Sequence, residues 1–361
     1  MQMKEIGWSG SVKKYLVIGI LLGTAAYVAI FAYVYKGDFI KFLEIVTHGN
    51  PTEALMAFLL RLIAPVVHAT IWFFVIYSLR RVNYVKILSI TGIALFFEVI
   101  VPIGGVTEVV KVLLAIKLKV LPREEAIASL LIHRVLTSVG IIVVSIASLI
   151  AIKASLAAFA GLLIPAMVLL AMNIALCLVP ASKRIEGILT KYGSRFGYDF
   201  EGLSYAYVEK LIRIRRAVPF ILIAFLFTIL ERLLNGFYGL YAASLIGTQI
   251  TLPVSLLTFD TIYAILWLFP IVTPGQLGIY EFIQTGILAH LGVSLDEAAA
   301  MSIISRVIYV LGGYVVFAIF IALLGLSVKS LIAELSGSEV TSGREEKSIG
   351  YVCFNIVGTH A

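Results

Sequence analysis

Two glutamate–arginine pairs lie in apolar sequence at almost the same spacing. Arg134 follows Glu108 by 26 residues, and Arg306 follows Glu281 by 25 residues. A charged side chain near the centre of a bilayer costs about 2.5–3.5 kcal/mol on insertion scales, and for this reason such charges usually mark functional sites. An arginine that binds a carboxylate still has donors left for an anion. Each pair is therefore predicted to link two neighbouring helices, to bind an anion, or to do both.

The sequence around the two pairs is duplicated as well. A segment rich in proline and glycine precedes each glutamate (102–107 and 274–280), and a Glu-Ala dipeptide begins nine residues before each arginine. Proline removes a helical donor and glycine permits a tight reversal, so each segment predicts the tip of a helical hairpin. The helix that starts at such a tip presents unpaired N–H groups, which favour an anion. These features predict a substrate-binding site for a phosphate-like headgroup, formed by Glu108, Arg134, Glu281, Arg306, Gly104, Gly105, Gly275 and Gly278.

Further polar residues interrupt the apolar segments. Glu98 and Asp260 lie before the two predicted tips, where they either carry protons or serve as hydrogen-bonding groups. Arg61 and His68 lie in one predicted span, and the Glu231–Arg232 dipeptide lies at a related place in the second half. We interpret these residues as a weaker extension of the duplication.

The composition is that of a polytopic membrane protein. The chain has 361 residues, of which 61% are hydrophobic and 14% charged, and its mean hydropathy is +1.04. A soluble domain has about 25% charged residues. The fold class is therefore predicted to be all-α, because lipid offers no partners to open backbone groups. The net charge is +7, and the basic residues lie in short loops beside the membrane spans, so a nucleic-acid role has no support.

Six apolar segments are long enough to cross a bilayer, for which about 20 residues are needed. They cover residues 15–35, 54–79, 126–152, 155–179, 218–246 and 298–326. Two further regions, 87–119 and 252–292, each hold two shorter segments broken by proline and glycine. We predict a re-entrant helical hairpin in each region, and four thin spanning helices are the alternative.

The distribution of lysine and arginine predicts the orientation. Residues 233–305 contain neither, whereas the loops on the other side are basic. The positive-inside rule then places both termini in the cytoplasm. Three spans and one hairpin form each of two units, 15–152 and 155–326, and the second unit is inverted relative to the first.

The remaining segments are predicted to be cytoplasmic. Residues 1–14 precede the first span, and 327–361 form a disordered tail rich in Ser, Gly and charge. The polar linker 181–216, within the second unit, is either an amphipathic helix on anionic headgroups or a solvated loop.

Several kinds of chemistry lack their sequence signatures. The chain contains no G-x-x-x-x-G-K-[ST] loop and no H-E-x-x-H motif. Its two cysteines, Cys177 and Cys353, suggest neither a disulfide nor a metal site. We therefore predict no catalytic residue, no metal and no cofactor.

The duplicated units resemble a known family. The segments 102–108 and 274–281, each followed by Glu-Ala and an arginine, are similar to the transmembrane flippase-like domain of lysylphosphatidylglycerol synthases. The resemblance covers about residues 10–330. Gln276 stands where the family usually has a second glycine, and Lys111 stands where an arginine is expected. These departures leave the predicted fold unchanged and bear on headgroup preference.

The resemblance implies a lipid translocase in the cell membrane. Two-domain members of the family carry a soluble aminoacyl-transferase domain, which this chain lacks, so lysyl transfer is not expected. Related membrane domains accompany enzymes of isoprenoid-linked glycan assembly. We therefore expect a flippase or scramblase for an anionic phospholipid or an isoprenoid-phosphate-linked lipid. A homodimer, or a partner that is a lipid-modifying enzyme or glycosyltransferase, is compatible with this role.

Two alternatives belong to other functional classes. One is an integral-membrane transferase that acts on a lipid-linked donor, with the same carboxylates as acid and base. The other is a non-catalytic lipid-binding partner of a separate synthase.

Overall fold

The computed structural model describes residues 49–100, 105–193, 201–268 and 278–325, and every regular element in these ranges is helical. A short 3-10 turn, Val179–Ala181, joins two of the helices. The α-helices are α1 (Pro51–Tyr77), α2 (Tyr84–Ile100), α3 (Val106–Lys117), α4 (Arg123–Ala151), α5 (Leu156–Leu178), α6 (Lys183–Gly193), α7 (Leu203–Arg216), α8 (Val218–Leu245), α9 (Leu252–Phe259), α10 (Ile262–Leu268), α11 (Ile279–His290) and α12 (Leu295–Leu323).

Five of these helices are long and apolar enough to cross a membrane: α1, α4, α5, α8 and α12. They correspond to five of the six predicted spans, and the sixth, 15–35, lies outside the described residues. The chain is therefore an all-helical, polytopic membrane protein, as its composition predicts. The tail 327–361 also lies outside the described residues.

The helices of the two halves have similar lengths. α1 and α8 have 27 and 28 residues, α3 and α11 have 12 each, and α4 and α12 have 29 each. The turns that follow α3 and α11 both use a left-handed residue, Lys119 at φ 52° and Gly292 at φ 96°. One difference is that α2 is a single helix of 17 residues, whereas its counterpart is divided at Asp260 into α9 and α10.

Helix packing interleaves the two halves. α1 and α8 form the most extensive helix contact. The first limb of each predicted hairpin packs against the long helix of the other half: α2 contacts α12, and α9 contacts α4. Gly92 of α2 makes room for Phe320 of α12, because a Cβ at this glycine would lie 1.9 Å from the phenylalanine ring. Helix α5 lies at the periphery, against α4 and α10.

The predicted linker is helical where it is described. Helices α6 and α7 form most of it, and α7 packs against α4. Tyr207 of α7 is fully buried and donates a hydrogen bond to the Cys177 carbonyl at 2.9 Å. Burial raises the pKa of the Tyr207 phenol, which therefore remains a neutral donor. The buried contact anchors this linker to the end of α5, which a solvated loop would not do.

Candidate functional site

The first predicted ion pair is present. Helix α3 begins directly after Gly105, whose φ is 81°, and Glu108 lies in its first turn. Arg134 lies near the middle of α4. Arg134 Nη1 donates to Glu108 Oε1 at 3.0 Å, and each side chain is 14% exposed. The partial exposure leaves both groups accessible from the interior cavity described below.

The second pair is more deeply buried. Glu281 lies in the first turn of α11, and its Oε2 accepts the backbone N–H of Gly278 at 2.6 Å. Arg306 Nε lies 3.5 Å from Glu281 Oε1, with side-chain exposures of 6% and 0%. The Arg306 guanidinium also lies over two rings, 5.2 Å from Tyr280 and 4.7 Å from Tyr309. Glu281 thus joins the start of α11 to α12.

The predicted tip glycines have a definite backbone role where they are described. Gly105 and Gly278 precede α3 and α11 with φ values of 81° and 82°, a conformation that favours glycine. Neither is among the residues that line the two cavities described below. Gly104 and Gly275 lie outside the described residues.

A third cluster of charges links the predicted hairpin regions. Lys111 Nζ lies 2.7 Å from His68 Nε2, and His68 Nδ1 lies 2.7 Å from Glu231 Oε1. Arg232 then donates to Glu231 Oε2 at 2.5 Å and to Asp260 Oδ1 at 2.6 Å. Because the lysine ammonium can only donate, His68 Nε2 is the acceptor and Nδ1 carries the proton that binds Glu231. We call these five residues the charge relay.

The charge relay crosses four parts of the fold. It runs from α3 through α1 and α8 to the break between α9 and α10. Asn235 adds a hydrogen bond to Asp260 Oδ1 at 3.1 Å. The sequence draws attention to each of these five residues separately, but it does not predict their connection. One signal was available: Lys111 follows Glu108 by three residues on α3, so both project from the same face of the helix.

Two adjoining cavities lie between the halves. The larger encloses about 770 Å³ of empty space, part of it continuous with the outside, and the smaller about 410 Å³. Glu108 and Arg134 line the larger, and Arg306 lines the smaller. Glu281 lines neither of the two and lies beside Arg306. We call the joined space the central cleft, and both of its parts are lined by Arg61, Ala64, Asn235, Tyr263 and Tyr309.

Two charged groups of the central cleft have no ion pair among the described residues. Arg61 has no carboxylate within 4.0 Å, and its Nε has no hydrogen-bond partner. Its guanidinium lies 3.7 Å from the centroid of the Tyr309 ring. Glu98 accepts a hydrogen bond from Thr107 at 3.0 Å and has no cation within 4.0 Å. Both groups line the larger cavity.

The structure offers no ready ligand set for a metal in the part of the chain that it describes. His133 is almost fully buried and contacts His68 edge to face at 4.7 Å between ring centroids, with no hydrogen bond to either ring nitrogen. This is the packing expected of a core histidine. The side chains that line the central cleft supply charged and hydrogen-bonding groups.

Comparison with protein families gives a match over most of the chain. The family model described as the lysylphosphatidylglycerol synthase TM region matches residues 16–319. This match includes both glutamate–arginine pairs, the charge relay and the residues that line the central cleft. No curated protein matches the chain.

Proposed function

The chain belongs to the family of lysylphosphatidylglycerol synthase TM regions, and from this premise we propose that it is a lipid flippase or scramblase. Its substrate would be an anionic phospholipid or an isoprenoid-phosphate-linked lipid. The headgroup occupies the central cleft while the hydrocarbon chains remain in the bilayer between the helices.

The observation that carries this proposal is a charged cavity between the halves of a membrane domain. Charges at membrane depth are costly and usually face a polar pathway. Here four arginines, Arg61, Arg134, Arg232 and Arg306, line the cleft together with three glutamates. Such a lining replaces the water that a headgroup loses when it leaves the membrane surface. In a helix bundle that bound no polar ligand, these charged groups would bring a desolvation cost and no benefit.

The membrane arrangement that we propose follows from helix lengths. Helices α3 and α11 have 12 residues each, or about 18 Å at 1.5 Å per residue, against about 30 Å of hydrocarbon. Helices α9 and α10 are shorter still. These lengths support re-entrant hairpins. With the basic loops in the cytoplasm, the hairpins enter from opposite sides, and both termini are cytoplasmic.

The glutamate–arginine pairs have two roles in this proposal. They tie α3 to α4 and α11 to α12, and they keep the arginines charged inside the membrane. Of the two acids considered for proton coupling, Glu98 is the better placed, because Asp260 already binds Arg232 and Asn235. Glu98 faces the central cleft directly.

Leaflet exchange in reconstituted liposomes tests the proposal. Liposomes with and without the protein would contain a trace of phosphatidylglycerol with a fluorescent headgroup label. A membrane-impermeant quencher removes the signal of the outer leaflet, so the remaining signal reports lipid in the inner leaflet. We expect the wild type to expose inner-leaflet label, and Arg306→Ala and Glu281→Gln to slow this exchange. Arg81→Ala, at an exposed position outside the cleft, is the matched control. Equal exchange in empty and protein-containing liposomes, for anionic and zwitterionic headgroups alike, would overturn the proposal.

A further inference from the structure

We propose that Arg61 binds the phosphate group of the ligand, at the junction of the two cavities. Arg61 was not among the residues predicted for this site. The inference deepens the proposed function, on which it rests for the identity of the ligand as a lipid. The phosphate site itself has a separate test.

Charge pairing distinguishes Arg61 from the other cations of the central cleft. Arg134 binds Glu108, Arg306 lies beside Glu281, and Arg232 binds both Glu231 and Asp260. Among the described residues, Arg61 alone of these four has no carboxylate within 4.0 Å. Arg61 is only partly buried, but its Nε is shielded from solvent and has no hydrogen-bond partner. A shielded guanidinium without a close carboxylate is the group that gains most from an incoming anion.

The position of Arg61 suits a ligand that crosses between the cavities. It lines both of them, as do Asn235, Tyr263 and Tyr309. These three side chains carry amide or hydroxyl groups that donate hydrogen bonds to phosphate oxygens. The Tyr309 ring supports the guanidinium from one side at 3.7 Å. The planar guanidinium of Arg61 presents paired N–H donors that match two oxygens of one phosphate.

A glycine in the other half makes room for this arginine. A Cβ at Gly312 of α12 would lie 2.7 Å from Arg61 Cγ and 3.5 Å from Arg61 Cβ. These atoms form the inner part of the side chain, so they cannot move aside as a flexible end would. Gly312→Ala therefore displaces the arginine while all charges remain.

Binding of soluble phosphate compounds tests the site without any transport. The protein, purified in a neutral detergent, would be titrated with inorganic phosphate, with dihexanoyl phosphatidylglycerol and with dihexanoylglycerol, which lacks phosphate. Phosphorus NMR line broadening reports the two phosphate probes, and competition reports the third. We expect both phosphate probes to bind and dihexanoylglycerol not to compete. Tighter binding of the short-chain lipid than of free phosphate would identify a lipid headgroup site, and the reverse order would identify a free-anion site.

Variants assign the binding to Arg61. Arg61→Gln should weaken phosphate binding about ten- to hundredfold, the range expected on loss of charge-assisted hydrogen bonds. Arg61→Lys should bind with intermediate affinity, because it keeps the charge and loses the fork. Gly312→Ala should also weaken binding, whereas Arg81→Gln and Gly161→Ala, at exposed positions with free space, should bind like the wild type.

Two outcomes separate this inference from the proposed function. If Arg61→Gln and Gly312→Ala bind phosphate like the wild type while Arg134→Gln or Arg306→Gln does not, the phosphate lies on the paired arginines and the inference is wrong. That result leaves lipid movement unaffected. If phosphate binds through Arg61 but the wild type moves no lipid in liposomes, the site stands and the flippase proposal fails.

Discussion

At the scale of single residues, the two glutamate–arginine pairs have different environments. Glu281 is completely buried and also holds the start of α11 through the Gly278 N–H, whereas Glu108 is partly exposed to the central cleft. Removing one partner of a buried pair strands the other charge, which typically costs about 3–5 kcal/mol. The pairs should therefore contribute unequally to stability.

We predict that Glu281→Gln lowers stability more than Glu108→Gln. The first change should approach the cost of about 3–5 kcal/mol for a broken buried pair, and the second should cost less because the cleft gives Arg134 access to water. Denaturant titration of the purified variants in detergent measures the loss of unfolding free energy for each change. Equal losses of unfolding free energy would contradict this difference.

A second prediction concerns the charge relay. His68→Leu strands Lys111, which is completely buried and whose ammonium donates to the ring. His68→Leu and Lys111→Met should each destabilise the protein, and the double variant should lose less than the sum of the two. A coupling energy of about 0.5–3 kcal/mol is the range for groups in one hydrogen-bond network. A strictly additive double-mutant cycle would show that the two side chains do not interact.

Sequence reasoning could predict the pairs but not the relay, and the reason is physical. Glu108 and Arg134 lie on consecutive helices, so spacing and helical rise already place them at similar depth. Lys111, His68 and Glu231 are separated by 43 and 163 residues, and their contact depends on how α1, α3 and α8 pack. Hydropathy patterns give the existence of these helices but not their mutual rotation.

At the scale of helices, the halves are held together by exchanged contacts. The limb α2 packs against α12, and α9 packs against α4, so each predicted hairpin region contacts the opposite half. The span bounds were predictable because about 20 apolar residues form a local signal. The division of one limb at Asp260 was not predicted, because no proline or glycine marks it.

We predict that closing the space at Gly92 separates α2 from α12. Gly92→Leu places side-chain atoms where the Phe320 ring lies, since even a Cβ would be 1.9 Å away. The matched control is Gly161→Leu on α5, where nothing lies within 4 Å of an added Cβ. Overpacking typically costs about 1–3 kcal/mol. The thermal midpoint in detergent should fall for Gly92→Leu and stay unchanged for the control, and a fall in neither would contradict the contact.

At the scale of the whole molecule, the proposed function relies on two halves with opposite orientations. The lengths of α3 and α4 equal those of α11 and α12, and left-handed residues follow α3 and α11 at matching positions. Equivalent turns should then lie on opposite sides of the membrane.

Cysteine labelling tests the orientation at two equivalent turns. In a background with Cys177→Ala and Cys353→Ser, Lys119→Cys and His290→Cys place single thiols at exposed positions after α3 and at the end of α11. An impermeant maleimide should label the second in intact cells and the first only after the membrane is opened. Labelling of both from the same side would refute the inverted arrangement.

In the proposed function a lipid headgroup passes through the cleft between the halves, and photocrosslinking can locate that headgroup in the protein. Phosphatidylglycerol with a diazirine on its headgroup would be incorporated into bilayers with the wild-type protein, irradiated, and the labelled residues mapped by mass spectrometry. We predict labels on residues that line the cleft, such as Ala64, Leu95 and Ile141, and their loss in excess unlabelled lipid. Labels confined to the loops and to the outer face of α5, at residues such as Met167, would contradict the account.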